Sequence, residues 1–213
     1  MLLLLARHGN TFGAGDKVIW VGARTDLPLT TKGQQQAVAL GEALKPIKQQ
    51  IGRVVSGPLV RTREHVEIAC RVLDFQGSIG FEERLREIDY GLWEGKSSEE
   101  IEAEFGDAEL KAWNERGVWP RSPGWTPSQR VITENVAQIA DELGAAQDGA
   151  GASLLVTSNG ILKFFLKLIP GAFEDMAKRG ALKVATGNCC ALRRSEAGWQ
   201  VLFWDVAPSK LPF

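Results

Sequence analysis

The chain opens on a short apolar run that passes straight into a cation, an imidazole and a glycine: Leu2-Leu3-Leu4-Leu5-Ala6-Arg7-His8-Gly9-Asn10-Thr11. Such a run is too short to cross a bilayer and fits a strand buried on both faces, the kind found in parallel sheets. Arg7 and His8 then stand where that strand ends. In open α/β sheets ligands bind outside the carboxyl ends of the strands, and Gly9 lets a ligand approach the backbone closely. A strand whose two polar residues merely face solvent explains the same stretch equally well, so other segments must decide.

Those segments alternate. Phe12 to Asp26 is a loop rich in glycine and charge that holds Trp20 and Arg24. Thr31 with Gln34 forms a capping-box pattern, and Ala37, Leu40, Ala43, Leu44 and Ile47 follow at helical spacing until Pro46 stops them. Arg53 to Ser56 reads as a second strand, broken by Gly57-Pro58 before a helix with Thr62, Val66, Ala69 and Leu73 on one face. Strand, helix, strand, helix implies a βαβ sheet. Pro58 suits the first helical turn, which sets Arg61 near a helix N-terminus, where free N–H groups favour a phosphate. A solvated surface arginine is the competing reading. His65, four residues on, has no partner in the sequence and reads as structural.

Leu85 to Gly95 mixes carboxylates, glycines and aromatics without period. Ser97 with Glu100 begins a short helix, Asp107 caps another through Trp113, and Trp119 to Trp125 is irregular. Together, residues 93–125 read as a lid-like insertion, and Trp93, Trp113, Trp119 and Trp125 point to an aromatic-walled pocket or to plain packing. Thr126 with Gln129 is a capping box with Pro127 at the first helical position, and the helix runs to Gly144. Gln147 to Gly151 is linker-like. Ser153 to Thr157 is another buried strand, ending in Ser158-Asn159-Gly160 as the first ends in Arg7-His8-Gly9. A helix from Ile161 to Ile169 stops at Pro170, and Cys189–Arg194 with Trp199–Val206 form an edge hairpin.

Composition narrows the function. At 213 residues, 44% hydrophobic, 24% charged and net charge −1, the chain suits one soluble domain and lacks the basic excess that nucleic-acid binding needs. Any anion site must be local. No stretch reads as a membrane span or an export signal, since Lys163 and Lys167 interrupt the apolar run after Gly160. Cys70, Cys189 and Cys190 suit neither a disulfide framework nor zinc spacing and read as buried thiols in a reduced cytoplasm. His8 and His65 are the only histidines, too few for a catalytic zinc site of the three-histidine kind.

Taken in order, Arg7-His8-Gly9-Asn10-Thr11, Asp26-Leu27-Pro28-Leu29-Thr30 with Gly33, Ser56-Gly57-Pro58-Leu59-Val60-Arg61, and Glu87 to Gly95 resemble the histidine phosphatase superfamily, the phosphoglycerate mutase-like proteins. The resemblance covers nearly the whole chain. It implies a three-layer α/β/α sandwich, mostly parallel with an antiparallel edge hairpin, and no metal or organic cofactor. It also implies a phosphohistidine intermediate on His8 and a small phosphorylated metabolite as substrate. Arg7 and Arg61 would clamp the phosphoryl oxygens as planar forks of permanent charge. By the same resemblance Glu87 is the general acid, with Asp89 and Glu94 as competing choices. Asn10, Thr11, Arg24 and Thr126 are the candidate substrate-binding residues.

Two positions depart from the family pattern. Asn159 stands where relatives carry a second histidine, which keeps a neutral donor and loses a charge. Charge-assisted bonds are about twice as strong as neutral ones, so impaired hydrolysis is expected rather than none. Trp125 stands where many relatives have a carboxylate, and nothing in the segment marks a mutase. The readings are thus a phosphomonoesterase of attenuated activity, a phosphate-ester-binding regulatory module without turnover, or a phosphoglycerate-type mutase.

Overall fold

A computed structural model describes residues 1–121, 124–145 and 151–213. The linker-like stretch, Gly151 apart, and two residues of the Trp119–Trp125 segment lie outside the described residues. Six strands form one sheet in the order β3-β2-β4-β1-β5-β6. They are β1 (Leu2–Arg7), β2 (Ile51–Ser56), β3 (Ile79–Phe81), β4 (Ala152–Thr157), β5 (Cys189–Ser195) and β6 (Gly198–Val206). β3, β2, β4 and β1 run parallel, and β5 lies antiparallel between β1 and the edge strand β6. This is the expected mostly parallel sheet with a C-terminal hairpin. β3, three residues long and mostly exposed, carries no apolar pattern from which it could be read.

Alternation along β1 divides the interior in two. Leu4 and Ala6 face a core with α1 (Thr31–Leu44) and α2 (Val60–Leu73). Leu3 and Leu5 face the opposite core, shared with Ile132, Val136 and Ile139 of α5 (Gln129–Ala145). Trp93, Ile101 of α3 (Ser98–Phe105) and Trp113 of α4 (Asp107–Arg116) belong to this second core. Each fully buried leucine contributes roughly 1.5–3 kcal/mol, so the apolar run of β1 stabilises both layers at once. Among the described residues no helix is long and apolar enough to cross a membrane.

Several helix starts differ from their sequence signals, in some cases because a capping residue bonds to a distant segment. α1 is capped by Thr30, not Thr31: its hydroxyl accepts from the Gly33 amide at 3.2 Å and donates to the Asn10 carbonyl at 3.1 Å. α2 begins at Val60, after Pro58, with Asp26 receiving the Val60 amide at 2.8 Å. Asp26 thus takes the first amide of this helix end, while Arg61 lines the cavity described below. Asp107 is the first residue of α4 rather than its cap, and α4 runs on to Arg116. Thr126 does not cap α5. It bridges Asp89 through mutual backbone hydrogen bonds, and Ser128 accepts from the Val131 amide instead. The helix read from Ile161 starts earlier, as α6 (Asn159–Leu162), and tightens into a 3₁₀ stretch over Lys163–Leu168. A further helix, α7 (Ala172–Lys178), follows Gly171. The Ser97–Glu100 capping box of α3 forms as read.

Gly9 serves a closer contact than a ligand's. A Cβ there would lie 2.4 Å from the Gly33 carbonyl oxygen, and one on Gly33 would lie 2.3 Å from that of Asn10. The loop after β1 and the first turn of α1 thus touch backbone to backbone. Gly33→Ala should lower stability by about 1–3 kcal/mol through this overpacking, read as a fall in Tm. A Tm equal to the native value would show that the contact can open freely.

Candidate active site

Three neighbouring parallel strands, β2, β4 and β1, end together and deliver the polar residues that follow them. Arg7 is paired with Thr157 in the β1–β4 register, and the His8 amide donates to the Thr157 carbonyl at 3.1 Å. The two strand-end motifs read from the sequence, Arg7-His8-Gly9 and Ser158-Asn159-Gly160, are therefore side by side. The Gly57 amide donates to the Val156 carbonyl at 2.9 Å, which brings the start of α2 and Arg61 to the same crevice.

His8 is buried, and its Nδ1 lies 2.8 Å from the Gly9 carbonyl oxygen. A carbonyl only accepts, so Nδ1 carries the proton and Nε2 keeps its lone pair. Burial, reinforced by Arg61 and Arg7, pushes the imidazole well below its ordinary pKa and keeps it neutral. The Gly9 amide donates to Nδ1 of His65 at 3.0 Å, so His65 holds the opposite tautomer. Burial pushes His65 down to about 3. His65 is structural, as read, and its partner is the loop that carries His8.

The cations are held by backbone oxygens. Arg7 donates from Nη1 to the Val184 carbonyl at 2.5 Å, and its buried Nε has no acceptor among the described residues. Arg61, 1% exposed, donates to the Thr25 and Gly22 carbonyls at 2.9 and 3.1 Å. Glu87 is buried between them. Its Oε1 accepts from the Ile88 amide at 2.9 Å and its Oε2 from the Gly160 amide at 3.1 Å. A Cβ at Gly160 would lie 2.2 Å from Glu87 Oε1, so any side chain there must displace the Glu87 carboxyl group. Asn159 accepts through Oδ1 from the Val184 amide at 2.9 Å, which fixes the amide's orientation and leaves Nδ2 as its donor.

These residues line one cavity of about 690 Å³ together with Asn10, Thr11, Trp20, Tyr90, Trp113, Lys163 and Lys183. Asn10 is oriented by the Thr186 hydroxyl, which donates to its Oδ1 at 2.5 Å. Tyr90, Lys163 and Lys183 were not singled out from the sequence. Tyr90 is buried, and burial beside Glu87 raises its phenol well above the usual value. Lys163 had a signal, a lone charge in a buried apolar run four residues after Asn159.

A family model described as histidine phosphatase superfamily (branch 1) matches residues 3–207. The probable phosphoglycerate mutase GpmB of Salmonella arizonae is 31% identical over 209 residues, covering 95% of this chain and 89% of that one. Its Salmonella choleraesuis counterpart is 29% identical over 210 residues with the same coverage. The chain belongs to the histidine phosphatase superfamily. Its fold is that of a mycobacterial glucosyl-3-phosphoglycerate phosphatase, with a TM-score of 0.77 at 22% identity over 96% of this chain and 98% of that one. It is also that of the Shigella flexneri alpha-ribazole phosphatase, with a TM-score of 0.74 at 22% identity over 97% of each.

Against this superfamily frame, two candidate substrate-binding residues stand away from the cavity lining. Arg24 is exposed and occupied: its Nε lies 3.1 Å from Asp89 and 3.4 Å from Glu94, and its Nη2 donates to the Gly91 carbonyl. Asp89 and Glu94, the competing acids, are thus taken up with Arg24 and the loop backbone. Thr126 is exposed beyond the Asp89 bridge. Trp125 is explained by packing. Its indole meets Trp20, Tyr90, Trp93, Trp113 and Trp119 at centroid distances of 4.8–6.2 Å, mostly edge to face. Each such pair adds about 0.5–1.5 kcal/mol beyond area burial, so the wall behind the cavity is rigid.

Because His65 is native only when neutral, the unfolded chain binds a proton that the folded chain refuses once the pH drops below 6.5. Stability is then lost as the pH falls from 6.5 towards about 3, by roughly 2–3 kcal/mol already at pH 4.5 from this residue. His65→Asn keeps an acceptor for the Gly9 amide and removes the titration. Urea unfolding at pH 7 and 4.5 should show a smaller acid loss in the variant, and equal losses would refute the assignment.

Proposed function

We propose that the chain hydrolyses a small phosphomonoester by way of a phosphohistidine on His8. The observation that carries this reading is the geometry of His8, neutral, with Nδ1 bonded to the Gly9 carbonyl and Nε2 in a cavity with Arg7, Arg61, Glu87 and Asn159. Nε2 attacks phosphorus, the ester P–O bond breaks, and the leaving oxygen takes a proton from the Glu87 carboxyl. Water then attacks the phosphorus of the phosphohistidine, Glu87 accepts its proton, and the P–N bond breaks to release inorganic phosphate. A phosphoryl group in transfer spreads negative charge over three oxygens, so Arg7 and Arg61 follow it as fixed cations. Burial lowers both guanidinium pKa values, and Glu87 partly offsets it, with Asp26 adding to the offset at Arg61, 3.9 Å from its Nη1.

The relatives are named as a mutase and the structural neighbours as phosphatases, two outcomes of phosphoryl transfer to and from a protein group. Hydrolysis is the reading favoured here because a mutase must hold two phosphate positions, whereas a phosphatase needs only the one that Arg7, His8 and Arg61 line together. In this reading residues 93–121 of the lid-like segment cover the substrate, with Asn10 and Thr11 beside it. Asn159 supports a second reading, a phosphate-ester-binding module without turnover, since its amide brings no charge to the transition state.

Hydrolysis of an aryl phosphate by the native chain, His8→Ala and Asn159→His decides between them. We expect slow native turnover with label trapped on His8, background rates in His8→Ala, and a gain of roughly tenfold in Asn159→His. Absence of native turnover and of label on His8, with phosphate binding retained, would replace the enzyme by the binding module.

A further inference from the structure

The run Ile161-Leu162-Lys163-Phe164-Phe165-Leu166 is buried throughout, and Lys163 is its only charge. The lysine is 2% exposed, and among the described residues its ammonium makes no hydrogen bond and no carboxylate ion pair. It lies over the face of Trp113, with Nζ 3.7 Å from the ring centroid. An ammonium so placed loses several kcal/mol of hydration, which a cation–π contact worth about 2 kcal/mol does not restore. An apolar side chain would serve this core better, so packing does not account for the residue.

Its position does. Asn159 and Lys163 are four residues apart on the helical turn of α6, with Lys163 still in helical conformation, so both side chains leave from one face. Both line the cavity that holds His8. Asn159 and Arg7 share Val184, one at its amide and the other at its carbonyl, and Gly160 donates to Glu87. The charged groups that act on Lys163 are Glu87, Arg7 of β1 and Lys183 from the loop before β5. The ammonium therefore belongs to the phosphate end of the cavity.

We propose that Lys163 is a catalytic residue whose ammonium contacts an oxygen of the transferring phosphoryl group on the Asn159 side, supplying the positive charge that the asparagine amide lacks. The inference rests on the phosphatase reading above. Trp113 holds the ammonium in place between turnovers. Burial lowers the amine to about 7, so the charge is present below that pH and is lost as the pH rises through it.

Lys163→Met and Lys163→Arg test this, alone and with Asn159→His. Lys163→Met should keep a Tm at or above the native value, since it removes a buried ion, while kcat on an aryl phosphate falls roughly 10²-fold and KM changes far less. Lys163→Arg should retain most of the rate, and the decline of native kcat/KM above about pH 7 should vanish with its permanent charge. Asn159→His should restore about 10²-fold in the Lys163→Met background, against roughly tenfold in the native one. Inorganic phosphate, measured by calorimetry, should bind at least about tenfold more weakly to Lys163→Met. A Lys163→Met protein whose kcat and phosphate Kd both stay within about threefold of native overturns the proposal. If the native chain hydrolyses nothing, the phosphatase reading fails, and phosphate affinity alone then decides the contact: an unchanged Kd overturns it. If Lys163→Met does not fold, a Lys163→Arg profile that keeps the alkaline decline overturns it.

Discussion

Gly9 fixes both imidazoles of the chain. Its carbonyl accepts from Nδ1 of His8, its amide donates to Nδ1 of His65, and its missing side chain lets the first turn of α1 close against it. Each bond determines a tautomer. His8 must present Nε2 with a free lone pair, and His65 must stay neutral to remain an acceptor. The His8 imidazole, the nucleophile in the proposed reaction, is therefore oriented by backbone geometry rather than by a carboxylate. A carboxylate on Nδ1 would stabilise the imidazolium, whereas a carbonyl there, with burial and two arginines nearby, keeps the ring neutral.

The rest of the site follows from how charge is buried around that ring. Arg7, Arg61 and Lys163 line the cavity, the last two almost fully buried, and Glu87 is the one carboxylate lining it among the described residues. The arginines are fixed by carbonyl oxygens of Val184, Thr25 and Gly22. Such partners orient a guanidinium without cancelling its charge, so attraction for an anion is retained. Glu87 is held by amides of Ile88 and Gly160 in the same neutral manner. Polarised backbone groups thus do much of the positioning, and the ionic charges stay available to the reaction proposed for the site.

What the sequence made legible was what lies in the buried strands, their immediate ends and the terminal hairpin, whereas the short exposed β3 left no pattern. The buried run of β1, the echo of Arg7-His8-Gly9 in Ser158-Asn159-Gly160 and the terminal hairpin depend on local pattern, and the sheet reproduces them. Three of the misplaced helix starts share a cause: Thr30, Asp26 and Thr126 make bonds to distant segments that no local motif contains. Arg24 illustrates the limit for the site. A loop arginine before the first helix looks available for substrate, yet Asp89, Glu94 and the Gly91 carbonyl, far along the chain, occupy it. Trp125 is the converse, a loss of charge in sequence that turns out to be the centre of an aromatic cluster.

Lys163 shows why a buried charge deserves a functional account when its neighbours do not supply a structural one. In the sequence it served only to interrupt an apolar stretch. In the fold, the tightening of α6 into a 3₁₀ stretch turns the following residues into the core while Lys163 keeps the face begun by Asn159. Stability favours methionine or leucine there, and nothing in the packing requires an amine. Asn159, oriented by Val184, contributes a neutral donor at the same face. A site that neutralises a phosphoryl group needs its charge in space, not at a fixed place in the chain, and one helical turn is a short enough distance for it to move.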